Sequence, residues 1–463
     1  EGKRNAILAL EHPVEIDKEA EQITVKLPDQ QVLSSNEISH GAQPLAIDHI
    51  SFKGMPKLDK ELMVFKRNDN ALTLTATPIV TKGLIIILDT EGNLIAIDQA
   101  HPEQEKWRHK LHPNLKKNKA TFGGGITAYK DKLFVTNGEQ TITALSLLDG
   151  KQLWQKTLSG IFRTAPVVEG EGVWVQSATN VLFAIDAKTG ETAWMHAGAM
   201  ETLGVLGGAS PVKMGNILLA PYSSGELYAL RASDGQEGWS VNLAYRMAFT
   251  SNLAFTDIDA VPVFYKDKVY AASNGGPLLS LEAINGKPLW EKQIEGVRGL
   301  WVAGNMVYAT TLANDVIAMH RLDGKVKWVS KMPLYQDEAK KKERITLTSP
   351  VLAGGKLFVA NSHGKLWAFD PFKGSIVAEI TIPVEVSLTP VITSHAMYVL
   401  SDKGVLAILS PDVGGSMLMA QDKAKPKAIN NNAAVKVKDS VSNAFNSIKQ
   451  GAQKGLGFVK SKF

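Results

Sequence analysis

Residues 182–194 have the sequence Leu182-Phe183-Ala184-Ile185-Asp186-Ala187-Lys188-Thr189-Gly190-Glu191-Thr192-Ala193-Trp194. An alternating apolar stretch, typical of a β-strand, leads into an Asp-to-Gly turn, and a Trp follows the Gly. The pattern recurs along the chain, with its Trp residues at Trp107, Trp154, Trp194, Trp239, Trp290 and Trp328. A copy at Trp367–Gly374 without the final Trp and a truncated copy at Leu406–Leu409 bring the count to eight.

A second pattern, a small residue and Pro before an apolar strand, also recurs, as in Ala165-Pro166 and Ser349-Pro350. Each repeat therefore contains about four short strands separated by turn residues, which is the composition of a propeller blade. The Trp residues are separated by 47, 40, 45, 51 and 38 residues, which brackets the period of such a blade. The sequence predicts an all-β, eight-bladed β-propeller of four-stranded blades over residues 60–411.

The ends of the chain differ from the repeats. Residues 1–59 are predicted to form an N-terminal arm, in which Ile23–Pro28 is consistent with a short strand. Because the eighth copy stops near Pro411, we expect the early strand Glu61–Phe65 to complete it and close the ring. Residues 412–434 are Gly-, Lys- and Asn-rich and predict a linker, and residues 435–463 predict a basic amphipathic tail, helical at least in its first half.

The recurring Trp is predicted to be structural. In a twisted four-stranded blade, a Trp on the outer strand covers the junction with the next blade while its N–H reaches a backbone acceptor. The seventh copy has Ala378 at the equivalent position, so its junction is expected to be less well filled. A pattern used in nearly every blade builds the blades, and we expect function where the copies differ.

Composition excludes several classes of protein. The 463 residues are 44% hydrophobic and 21% charged, as in a soluble globular protein. The net charge of +5 comes from residues 422–463, where nine Lys face Asp422 and Asp439, so the remainder is about −2 and a nucleic-acid surface is not expected. The chain has no Cys, which excludes disulfides, thiolate metal sites and a thiol nucleophile.

Candidate functional residues lie in two long excursions between blades. Asp257 and Asp259 are expected to lie in one strand and to point to the same side, since a single residue separates them. They are weak as a calcium or catalytic pair and better as a charged rim for a protein partner. The other excursion offers Leu203, Val205 and Leu206 in a Gly-flanked turn, for which core packing is an equal alternative. No catalytic, cofactor or metal site is predicted.

The repeat resembles that of the pyrroloquinoline-quinone (PQQ) type propellers over residues 60–411, through the unit Ala184-Ile185-Asp186, Thr189-Gly190 and Trp194. One class with this repeat, the quinone-dependent periplasmic dehydrogenases, carries vicinal cysteines that this chain lacks. The chain is more similar to the BamB family of alphaproteobacterial type, which are lipoprotein subunits of the outer-membrane β-barrel assembly (BAM) machinery.

That resemblance implies a non-catalytic scaffold at the periplasmic face of the outer membrane of a Gram-negative bacterium, without a cofactor. It implies binding to the periplasmic domains of the barrel-forming subunit BamA through Leu203, Val205, Leu206, Asp257 and Asp259. Here Leu206 stands where well-known relatives carry Arg. A lipidated Cys before Glu1 is expected if the sequence is trimmed, and the basic tail is a second candidate for membrane association. Direct binding of unfolded outer-membrane proteins and a PQQ-dependent dehydrogenase are the alternatives.

Overall fold

The computed structural model describes residues 14–39, 47–66, 73–111, 121–199, 208–243 and 258–412. Within these ranges the strands form eight four-stranded antiparallel sheets and one two-stranded hairpin. The predicted all-β, eight-bladed propeller of four-stranded blades is therefore confirmed. Across these same ranges, no helix has both the length and the apolar character that a membrane span requires.

The first four blades follow one another along the chain. Blade 1 contains β2 Ile79–Thr81, β3 Leu84–Leu88, β4 Asn93–Asp98 and β5 Glu105–Lys110. Blade 2 contains β6 Gly125–Tyr129, β7 Lys132–Thr136, β8 Thr141–Ser146 and β9 Gln152–Thr157. Blade 3 contains β10 Val167–Glu169, β11 Gly172–Gln176, β12 Val181–Asp186 and β13 Thr192–Ala197. Blade 4 contains β14 Val212–Met214, β15 Ile217–Pro221, β16 Glu226–Arg231 and β17 Glu237–Asn242.

The last four blades complete the ring. Blade 5 contains β18 Val263–Tyr265, β19 Lys268–Ala272, β20 Leu278–Glu282 and β21 Pro288–Lys292. Blade 6 contains β22 Val297–Ala303, β23 Met306–Thr311, β24 Asp315–His320 and β25 Val326–Lys331, and the hairpin β26 Tyr335–Asp337 and β27 Lys342–Arg344 follows it. Blade 7 contains β28 Val351–Ala353, β29 Lys356–Ala360, β30 Lys365–Phe369 and β31 Ile376–Thr381. Blade 8 contains β32 Val391–Ile392, β33 Met397–Leu400, β34 Val405–Asp412 and, from the other end of the chain, β1 Met55–Met63.

Blade 8 is built from both ends of the described chain. Strand β1 pairs antiparallel with β34 from Met55↔Asp412 to Met63↔Val405. The closing strand thus begins six residues before the predicted Glu61 and ends before Val64. The buried core lies between neighbouring blades, and the cluster between blades 8 and 1 includes Ile85, Ile95 and Leu406. This pairing completes blade 8 by covering the edge of β34, and β1 becomes the outer strand of that blade.

The recurring Pro explains where each inner strand starts. Strands β2, β10, β14, β18, β28 and β32 each begin at the residue directly after a Pro. Pro has no N–H to donate to a sheet ladder, so it is tolerated just before a strand and not within it. The repeat therefore sets the position of the inner strand in six of the blades.

Every blade has a β-bulge between its third and fourth strands, and this bulge fixes the Trp position. In blade 3, Ala184 pairs with Trp194 and Ile185 pairs with Thr192, which leaves one extra residue in the outer strand. A bulge of this kind increases the local twist. A small residue stands opposite each blade Trp, either Ala or, in blade 5, Ser280.

Each blade Trp packs against a Gly of the next blade. A Cβ atom on Gly235 would lie 2.5 Å from the indole of Trp194, and the Trp194 Nε1–H donates to the carbonyl oxygen of Ala232 at 3.2 Å. The same two contacts are made by Trp107, Trp154, Trp239, Trp290 and Trp328 with the third-to-fourth-strand turn of the following blade. The Gly of the repeat is therefore required by its positive φ and by the indole beneath it.

Two blades lack this Trp. In blade 7 the residue that directly follows the bulge is Ala378, which packs with Met55 of the closing strand against the core cluster there. In blade 8 the bulge lies between Leu58 and Lys60, and Lys60 pairs with Ile408. Lys60 thus occupies the position that Trp occupies in blades 1 to 6.

The N-terminal arm crosses one end of the ring. It contains a 3₁₀-helix, Lys18–Gln22, and residues 23–30 form no strand, in contrast to the expectation for Ile23–Pro28. The arm then forms bridges to inner strands, with Asn36 opposite Val80, Ile38 opposite Thr127 and Ile50 opposite Ala353. Since those partners belong to blades 1, 2 and 7, the arm connects the blades on both sides of blade 8. The predicted linker and tail, beyond Asp412, lie outside the described residues.

Candidate functional site

The described ends of the two predicted excursions lie at the end of the ring opposite the arm, where the chain enters blades 4 and 5. Leu203, Val205, Leu206 and Asp257 lie outside the described residues. Asp259 is described, and it lies in the connection before β18 rather than within a strand. The expectation that Asp257 and Asp259 share a strand is therefore wrong, because Pro262 delays the start of that strand to Val263.

The two predicted excursions meet at their C-terminal ends. The backbone N–H of Ala209 donates to the carbonyl oxygen of Ile258 at 3.0 Å. Both residues are fully buried in the cluster between blades 4 and 5, together with Leu243 at the start of the second excursion. The chain therefore enters blades 4 and 5 from adjacent, anchored points.

Asn180 holds the N-terminal end of the first excursion. Its backbone is in the left-handed region at φ 58°, which Asn tolerates better than most residues. Its Nδ2 donates to the Ala199 carbonyl at 2.7 Å, and its Oδ1 accepts from the N–H and hydroxyl of Ser223, each at 3.0 Å. One side chain thus connects the turn of blade 3, the turn of blade 4 and the excursion. Sequence reasoning missed it, although an Asn before a strand of the repeat was a visible signal.

A cluster of aromatic and acidic side chains lies beside the N-terminal end of the first excursion. The ring of His196 stacks on Tyr222 with centroids 5.9 Å apart, and its Nε2 lies 2.9 Å from Glu237 Oε1. Burial raises the pKa of Tyr222, and the neighbouring Tyr228 and two Glu carboxylates raise it further. Tyr222 therefore stays a neutral hydrogen-bonding group. Gly198 is required there, since a Cβ would lie 2.4 Å from the Tyr222 ring.

Asp259 has an unsatisfied carboxylate oxygen. Its Oδ2 accepts a hydrogen bond from Asn274 Nδ2 at 2.5 Å, whereas its Oδ1 is buried and has no partner among the described residues. Arg298, at the start of β22, attracts Asp259 electrostatically and is repelled by Arg344 of the neighbouring hairpin. A buried carboxylate oxygen without a donor is costly unless a partner supplies one. Asp259 therefore carries one buried carboxylate oxygen whose hydrogen-bonding capacity is unused among the described residues.

The surroundings of these excursions combine buried apolar anchors with polar groups. In the described part of the chain, no three His, Asp or Glu side chains are grouped closely enough to hold a metal ion. A rigid scaffold that carries long connections with apolar and charged residues is the usual arrangement for protein recognition.

Comparisons with known proteins agree with this architecture. The family model described as outer membrane protein assembly factor BamB matches residues 92–330 and 335–449. The outer membrane protein assembly factor BamB of Shewanella oneidensis is 26% identical over 342 residues, which are 72% of this chain and 84% of that protein. An uncharacterised protein of Rickettsia conorii is 29% identical over 303 residues, 63% of this chain and 72% of that protein.

Two solved structures show the same fold. The crystal structure of BamB from Moraxella catarrhalis matches with a TM-score of 0.63 at 18% identity, covering 77% of this chain and 100% of that one. A quinohemoprotein alcohol dehydrogenase from Comamonas testosteroni matches with a TM-score of 0.59 at 13% identity, covering 80% of each chain. The architecture is therefore shared by proteins with different activities, and the fold alone does not choose between them.

Proposed function

Since this chain belongs to the family of the outer membrane protein assembly factor BamB, we propose that it is a non-catalytic scaffold of the outer-membrane assembly machinery. It works at the periplasmic face of the outer membrane and binds the periplasmic part of the barrel-forming subunit BamA. The partner contacts the connections that contain Leu203, Val205, Leu206, Asp257 and Asp259.

One observation supports this proposal most strongly. The hydrogen bond between Ala209 and Ile258 joins the ends of both connections on a buried base. The described ends of two connections that are separate in sequence are therefore adjacent. Anchored ends reduce the conformational entropy that the connections lose when a partner binds, which raises affinity.

The chemistry of the surface suits a protein partner with apolar and basic groups. Leu203, Val205 and Leu206 supply apolar area, while Asp257 and Asp259 supply negative charge. Charge complementarity between these carboxylates and basic groups of the partner would give specificity.

The test is co-purification of the barrel-forming subunit of the same bacterium with variants of this protein. Asp257→Arg combined with Leu203→Glu, and separately Asp259→Arg, are expected to reduce the recovered partner by about tenfold or more, since each places a like charge or buried charge at the interface. Asp131→Arg is the matched control. Asp131 is an exposed carboxylate in blade 2, at the end of the ring opposite the connections into blades 4 and 5.

Circular dichroism spectra establish which variants are folded, and only folded variants enter the comparison. Unchanged recovery of the partner with folded Asp257→Arg/Leu203→Glu and Asp259→Arg proteins would contradict the proposed contact.

A further inference from the structure

The junction between blades 8 and 1 contains a cleft at the place that an indole fills in six other junctions. It has a volume of about 680 Å³ and lies beside Lys60, Lys82, Gln99, Lys106, Tyr398 and Ile408. Lys82 and Gln99 belong to turns at the end of the ring that carries the arm. The cleft is therefore far from the connections that lead into blades 4 and 5, because those connections lie at the opposite end of the ring.

Six junctions show what normally occupies this place. In each, an indole from the preceding blade packs under the turn between the third and fourth strands, and its N–H donates to the carbonyl of the turn's first residue. The equivalent residue of blade 1 is Gln99. Its N–H donates to Gly83 at 2.8 Å, just as that of Ala187 donates to Glu171 at 2.8 Å in blade 3.

Both partners of the usual contact are missing between blades 8 and 1. Lys60 replaces the Trp, and the turn from Asp98 to Gln104 contains no Gly. Among the described residues, no N–H donates to the Gln99 carbonyl, whereas the equivalent carbonyls each receive an indole N–H. Ile408 and Tyr398 supply the apolar walls, and the Tyr398 hydroxyl accepts a hydrogen bond from Gln99 Nε2 at 3.0 Å.

Lysine amines surround this space. Lys60 lies 3.7 Å from Glu103, and Lys106 is paired with Asp98 at 2.8 Å. Lys82 is exposed and makes no hydrogen bond or ion pair with any residue in the described ranges. The wall also carries Asp59, whose Oδ2 accepts from the Ser410 hydroxyl at 3.1 Å. Lys60 and Lys106 are therefore each paired with a carboxylate, whereas Lys82 has no partner among the described residues and can pair with an anion.

We propose that this seam cleft binds a peptide segment of a partner protein in which a tryptophan is followed by an acidic residue. The indole takes the place that the blade Trp takes elsewhere and donates its N–H to the Gln99 carbonyl. The adjacent carboxylate pairs with Lys82 at the rim. The position of the indole is inferred from the blade Trp residues at the six other junctions. The acidic residue is inferred from Lys82, which has no partner among the described residues.

Calorimetric titration of the full chain with the peptide Gly-Ser-Trp-Asp-Gly-Ser tests the proposal. Replacing the peptide's Trp by Ala is expected to weaken binding about tenfold or more, as for other buried aromatic anchors. Lys82→Gln should weaken it about two- to fivefold, the range for an exposed ion pair. Lys60→Trp should abolish binding by filling the cleft from within.

Asp131→Arg serves as the control and should bind the peptide as tightly as the unmodified protein, because Asp131 is exposed and does not line the cleft. The titration contains no barrel-forming subunit, so its outcome is independent of the proposed BamA contact. Lys82→Gln changes only an exposed side chain, which keeps the test valid if Lys60→Trp does not fold. Absence of binding, or equal binding of the Trp and Ala peptides, overturns the proposal. Displacement of the Trp peptide by inorganic phosphate at concentrations similar to those of the peptide also overturns the proposal, since it would show that the cleft binds anions without recognising the indole.

Discussion

At the scale of single residues, the Gly and Trp of the repeat depend on each other across blades. The Gly at the turn leaves room for an indole, and the small residue opposite each Trp leaves room on the other side. Where the Trp is absent, before blade 1, the Gly is absent as well. The repeat therefore records a contact between neighbouring blades rather than a property of any one blade.

Gly235→Ala should be more destabilising than Gly170→Ala. Both glycines have positive φ, 72° and 65°, so either Ala incurs a backbone cost of about 1–2 kcal/mol. Only the Cβ at position 235 meets Trp194, at 2.5 Å, whereas nothing lies within 4 Å at position 170. Overpacking adds about 1–3 kcal/mol for Gly235→Ala, measured as the free energy of unfolding in urea. Equal destabilisation by both variants would show that the indole contact contributes nothing.

Much of the fold is predictable from these residues because the repeat places the same chemistry in each blade. The position of Lys60 is not, since its equivalence to Trp becomes visible only through the β1–β34 register and its bulge. The candidate site is less predictable still. Its anchors, Asn180 and the contact between Ala209 and Ile258, depend on loops that differ from blade to blade and carry no periodic signal.

At the scale of elements, the arm is held by specific polar contacts as well as by strand bridges. Asp17 Oδ2 accepts from Lys292 Nζ and from the Val326 N–H, both at 2.7 Å. The Trp301 indole donates to Asp48 at 2.8 Å, and His49 Nε2 accepts from the Gly355 N–H at 2.9 Å. Sequence reasoning treated this segment as a plain arm because its pairing partners are far away in the chain and no local period reveals them.

The first part of the arm should detach in acid. Burial by itself raises the pKa of Asp17, but the hydrogen bonds from Lys292 and Val326 outweigh it, so the pKa lies below its ordinary value of 3.8. A lowered carboxyl pKa stabilises the attached state above pH 3.8, and this contribution is lost as the pH falls through the folded-state pKa. Hydrogen exchange at residues 17–23 should therefore accelerate as the pH is lowered below about 4, after correction for intrinsic exchange.

Asp17→Asn is the control for this titration. It removes the ionisable group and keeps a hydrogen-bond acceptor, so its corrected exchange should be faster at neutral pH and should change little through the acid range. A variant that retained the full acid dependence would assign the effect to another carboxylate.

At the scale of the whole molecule, the pairing of β1 with β34 closes the ring. The last described strand, β34, ends at Asp412. A chain that ends at Asp412 contains every described strand and is expected to melt within about 2 °C of the full chain. A chain that ends at Gly404 lacks β34, leaves β1 without a partner and should lose its cooperative transition. Thermal circular dichroism distinguishes the two, and a cooperative transition in the shorter chain would show that the ring tolerates an open edge.

The closing pair also has a consequence for how the molecule is made. Met63 and Val405 are partners although 342 positions separate them, so β1 leaves the ribosome long before its neighbour exists. Closing so long a loop is entropically costly. The β1–β34 pair is therefore expected to form late, after the intervening blades have assembled. Until then, strand edges stay open to intermolecular pairing. The final step of folding is thus also the step that ends the nascent chain's exposure to aggregation.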